Sequence, residues 1–104
     1  MEINVNLKKS QILPWITVNK DTDDTIEISV FNGDDAVNAP KKTTLTGKKP
    51  FGEVVTISTK TKAGKVLADV TKELTDQTGK VVCELTLNEE KAFFIIHVED
   101  IKGE

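Results

Sequence analysis

Apolar residues recur at every second position along most of this chain, and that spacing predicts strands with one buried face. Ile3, Val5 and Leu7 alternate with Glu2, Asn4, Asn6 and Lys8, so a strand opens the chain. Pro14, Trp15, Ile16, Thr17 and Val18 predict a short strand or sheet edge, with proline first, where its missing N–H does little harm. Ile26, Ile28 and Val30 alternate with Thr25, Glu27 and Ser29 and stop at Asn32-Gly33, a pair that accepts positive φ and favours a tight turn.

Periodicity fades over residues 33–52, where Pro40, Gly47 and Pro50 punctuate the chain. One edge strand around Thr43, Thr44 and Leu45 is expected there, because a structureless stretch of that length is unusual in a compact domain. Residues 53–61 predict a strand with Val55 and Ile57 on one face and Val54, Thr56 and Ser58 on the other. Residues 65–74 fit helical and strand spacing alike, and their β-branched residues and flanking Gly64 favour a strand.

Val81, Cys83, Leu85 and Leu87 then follow at two-residue intervals, opposite Lys80, Glu84 and Thr86, with Val82 breaking the polar series. The last strand, residues 92–98, is the most apolar: Phe93 and Ile95 face one way, and Phe94, Ile96 and Val98 the other. Ile28, Val30, Val55, Ile57, Val81, Cys83, Leu85, Phe94 and Ile96 are expected to share one core between two facing antiparallel sheets. About seven short strands with turns at this spacing predict an all-β sandwich.

Length and composition agree with that pattern. A chain of 104 residues suits a single domain over residues 1–104, and Thr, Val and Ile, whose branched Cβ packs well on a pleated surface, supply 33 of them. The net charge of −3, with both signs spread along the chain, gives no electrostatic reason to bind nucleic acid. Lys41, Lys42, Lys48 and Lys49 form a basic stretch without an aromatic platform for bases. No segment approaches the run of about 18 apolar residues that spans a bilayer, so no membrane insertion is expected.

Candidate chemistry is sparse. With no Tyr, one His and one Cys, a nucleophile would have to come from Cys83 and His97, yet Cys83 falls in the inward register, where a thiol is inert. No catalytic role is expected. The densest polar cluster is Asp21, Asp23 and Asp24, whose carboxylates suit calcium, although turns are rich in aspartate simply because its side chain caps local amides. Trp15, Phe93 and Ile95 are the candidate protein contacts. Four large neighbours, Phe93 to Ile96, cannot share one face of a strand, so one pair needs a second cover. Either Leu45 or Phe51 packs over Phe93 and Ile95 within the chain, or another protein or a second copy does.

The run Gly47-Lys48-Lys49-Pro50-Phe51-Gly52-Glu53-Val54-Val55-Thr56-Ile57, followed by Leu74-Thr75-Asp76-Gln77-Thr78-Gly79-Lys80-Val81, resembles bacterial immunoglobulin-like modules of invasin and intimin type. In those modules a Gly and Pro turn precedes a valine-rich strand, and a Thr-Asp-x-x-Gly turn precedes a strand that completes the sandwich. The resemblance implies an immunoglobulin-like antiparallel fold, no catalytic residues and a structural or adhesive role at the cell surface or outside the cell. Similar sandwiches occur in phage tail, baseplate and capsid decoration proteins, so a virion component is the alternative.

Overall fold

A computed structural model describes residues 1–8 and 12–100, which form ten strands and one helical turn. The strands are β1 (Glu2–Asn6), β2 (Trp15–Asn19), β3 (Asp24–Asn32), β4 (Asp35–Val37), β5 (Thr43–Lys48), β6 (Val54–Ile57), β7 (Thr59–Lys62), β8 (Lys65–Val70), β9 (Gly79–Leu87) and β10 (Glu90–Glu99), with α1 (Lys72–Thr75) between β8 and β9. They build two five-stranded sheets. The first runs β1-β3-β8-β7 with β4 also on β3, and the second runs β2-β10-β9-β5-β6.

The period-two runs decide which side chains lie between the sheets. Ile28, Val30, Val55, Ile57, Val81, Cys83, Leu85, Phe94 and Ile96 are all buried in one cluster, as the alternation requires. Val66, Ala68, Val70 and Leu74 close it from β8 and α1. The fold is therefore an all-β sandwich.

Its strand count and directions differ from the expected seven antiparallel strands. Two of the additional strands come from residues 35–37, which pair with the end of β3, and from residues 54–62, which break at Ser58 and pass from the second sheet into the first. At that corner the Thr59 and Thr61 hydroxyls donate to the carbonyls of Thr43 and Pro40, both at 3.2 Å. Two pairings are parallel: β1 beside β3 and β2 beside β10. Alternation is the same in both directions, so strand polarity leaves no trace in the pattern. The N-terminal segment simply divides between the two sheets, and each piece runs alongside a strand that points the same way.

β5 is interior, held between β9 and β6, rather than an edge. Gly47 explains why it can lie there. A Cβ at that position would stand 2.9 Å from Leu74 Cδ1, 3.0 Å from Val81 Cγ1 and 3.3 Å from Ile57 Cδ1. Leu74 comes so close because residues 65–74 are not one strand: the chain leaves β8 after Val70 and turns once as α1, laying Leu74 over the end of the core. Gly47→Val is expected to cost roughly 1–3 kcal/mol by overpacking, read as a lower urea midpoint. An unchanged midpoint would mean that Leu74 moves aside freely.

Lys49 sits just past β5 and turns inward. Its ammonium lies 2.6 Å from Asp76 and 3.4 Å from Glu53, its stem is almost fully covered, and the Asp76 contact holds its pKa above the usual lysine value. The pair ties the β5–β6 hairpin to the segment between α1 and β9. A raised lysine pKa stabilises the fold at every pH below the free lysine value, and that contribution disappears only as alkali strips the proton. Lys49 thus belongs to the scaffold and not to an exposed basic stretch.

Candidate protein-contact face

The outer faces of the two sheets differ in chemistry. On the first, outward positions of β1, β3 and β8 carry Glu2, Asn4, Glu27, Ser29, Lys65 and Asp69, with Leu67 half-buried among them. Lys65 stands 3.3 Å from Glu27, whose carboxyl lies below the usual glutamate range through hydrogen bonds to Glu2 first and Lys65 second. Water solvates such a face at no cost.

On the second sheet the cross-strand register sets Trp15 beside Ile95, Ile95 beside Val82, Val82 beside Lys48 and Lys48 beside Val54. That is one continuous row over all five strands, from edge to edge. Phe93 lies one outward position along β10 from Ile95, next to Glu84, and His97 one position the other way, next to Lys80. The Trp15 and His97 rings meet edge to face at 5.1 Å. Trp15 keeps 59% of its surface open to solvent, Val54 61%, Val82 40% and Phe93 38%.

Nothing in the described chain covers this row. Leu45 is buried between the sheets, and Phe51 projects from the β5–β6 hairpin, 83% exposed. Neither of the two residues expected to shield Phe93 and Ile95 does so. The expected contacts Trp15, Phe93 and Ile95 do come together on one face, whereas Val82, Val54 and Lys48 extend it in a way the sequence does not show. Val82 leaves a mark, as the apolar residue between Lys80 and Glu84, but its place in a row depends on pairings with distant strands. Glu84 is engaged by Lys91 at 3.5 Å, while Lys48 and Lys80 form no ion pair among the described residues.

The aspartate cluster lies elsewhere, at the turn between β2 and β3, pinned to α1. Thr75 is fully buried; its hydroxyl accepts from the Thr22 amide at 2.9 Å and donates to the Thr22 carbonyl at 3.0 Å. Asp21 takes positive φ and donates its amide to the Thr75 carbonyl. The Asp23 carboxylate accepts from the Lys72 amide at 3.0 Å, supplying the cap that Thr71 at the start of α1 does not give, and Asp24 accepts from the Thr25 amide at 2.7 Å. Among the described residues no three metal-ligating side chains converge. Asp23→Ala is expected to lower stability by about 1 kcal/mol, the usual worth of a lost helix cap, equally with and without millimolar calcium. A calcium-dependent rise in melting temperature that vanishes in the variant would instead put an ion at this turn.

Cys83 and His97 are on opposite faces of the second sheet, Cys83 inward and His97 on the outer face. Desolvation pushes the buried thiol up to about 12, far from nucleophilic. Among the described residues no helix is long and apolar enough to cross a membrane.

Neither the family models nor the curated proteins contain a match to this chain. Solved structures do. The N-terminal domain of phage TP901-1 ORF48 superposes with a TM-score of 0.65 over 95% of this chain and 97% of that one. The two share the fold. At 10% identity the likeness extends to the course of the backbone and not to particular side chains.

Proposed function

We propose that the chain is a non-catalytic structural component of a phage virion that holds a protein neighbour through the outer face of its second sheet. The superposition on a phage protein domain over nearly the whole of both chains carries the phage part of this reading. The uncovered row from Trp15 to Val54 supports the contact part, because aromatic and aliphatic groups gathered on one sheet face are the composition of a protein interface. Its one cysteine and one histidine are separated by the sheet itself.

An antibody raised against the chain tests the assignment by electron microscopy. Label on purified virions supports it. Label on the bacterial envelope, with bare virions, would favour the surface module of invasin or intimin type.

A further inference from the structure

The outer row of the second sheet is almost its own complement. Val82 sits at the middle of the five-stranded row, and on β9 the outward neighbours on either side of it are Lys80 and Glu84, opposite in charge and equally distant. On β10 the same two levels carry His97 and Phe93. A half-turn about an axis lying across the strands at Val82 exchanges these levels.

We infer that this face binds a second copy of the chain, related by that two-fold axis. The second copy is the partner of the contact face assigned above, so the inference rests on that reading. Lys80 of each copy lies over Glu84 of the other, giving two reciprocal ion pairs, and His97 lies over Phe93 of the other copy. Trp15, Ile95 and Val82 pack on their own counterparts along the axis. An isologous contact demands this kind of pattern, in which a patch matches itself after rotation. The polar face of the first sheet, with Glu2 beside Glu27, presents no such apolar row.

The area suffices. Five strands about 4.8 Å apart and some six residues of each strand give roughly 500 Å² in projection, and more as accessible surface, near the ~800 Å² per partner of a standard interface. One like-charge meeting remains, Lys48 over Lys48 of the second copy, one strand from Val82. A four-carbon stem can carry each ammonium out past the rim, at some cost to the association.

Sedimentation of the purified chain over a hundredfold concentration range, with circular dichroism to confirm folding, tests the inference. The wild type should be a concentration-dependent dimer. Val82→Glu and Trp15→Ser, both at exposed positions, should each weaken it by about tenfold or more. Lys80→Glu and Glu84→Lys should each weaken it, and the two together should recover much of the loss, because the reciprocal pairs re-form with signs exchanged. Lys48→Gln should tighten it. A wild type that stays monomeric at the highest concentration overturns the inference, as does a dimer indifferent to Val82→Glu and to the charge exchange. Either failure leaves the virion assignment to stand or fall by the labelling of particles.

Discussion

Cys83→Asp is expected to lower the stability of the fold by about 3–5 kcal/mol, the range seen when a charge is left buried without a partner. Cys83 is completely buried in β9, opposite Gly47 of β5 on one side and Phe94 of β10 on the other. Its sulfur has one weak polar neighbour, the Val81 carbonyl at 3.9 Å, which cannot donate to a carboxylate. An aspartate there must either stay charged without a donor or take up a proton far above its usual pKa, and both cost free energy. Urea denaturation of the variant against Cys83→Ala separates the buried charge from the lost volume. Equal midpoints for the two would refute the inward register.

The thiol also predicts a pH response. Its folded pKa of about 12 lies above the ordinary value of 9.0, so the neutral thiol stabilises the fold fully below pH 9. Above that the unfolded chain ionises first, and the contribution is lost as pH rises toward 12. Cys83→Ala should lack this part of the alkaline decline, while the part due to Lys49 persists.

Phe94→Ala should cost about 3–5 kcal/mol, since the largest fully buried side chain would leave a cavity between the sheets. Phe93→Ala, one residue earlier and on the outer face, should stay within about 1 kcal/mol. The pair tests function as well as packing. Phe94→Ala should leave the association of the remaining folded protein unchanged, and Phe93→Ala should weaken it with the fold intact. Similar stability losses at the two positions would mean that both faces of β10 are covered, and the contact face would then be no face at all.

Cys83 and Phe94 are legible as core positions from the alternation alone, as is the placing of Phe93 and Ile95 together on the opposite face of their strand. Each side chain's facing depends only on neighbours one and two residues away, and strand geometry converts that spacing directly into inside and outside. The aspartate turn is equally legible as a turn. What its carboxylates do is not, because the amide that Asp23 accepts from is on α1, 49 residues along the chain.

The order of residues is enough to establish an all-β chain, the parity of its main strands and nine members of its core. It takes the folded arrangement to show that β1 and β2 run parallel to their neighbours, that β5 lies inside a sheet, that residues 72–75 coil over the core, and that Lys49 is enclosed. The row from Trp15 to Val54 belongs to the same class, assembled from five strands whose alternation says nothing about which of them are adjacent. Alternation is local and blind to direction, whereas strand order and polarity follow from hydrogen bonds between distant segments and from the ways the connections can close. A pattern read along the chain therefore fixes which residues meet water or core, and the pairing of strands fixes which of them meet each other.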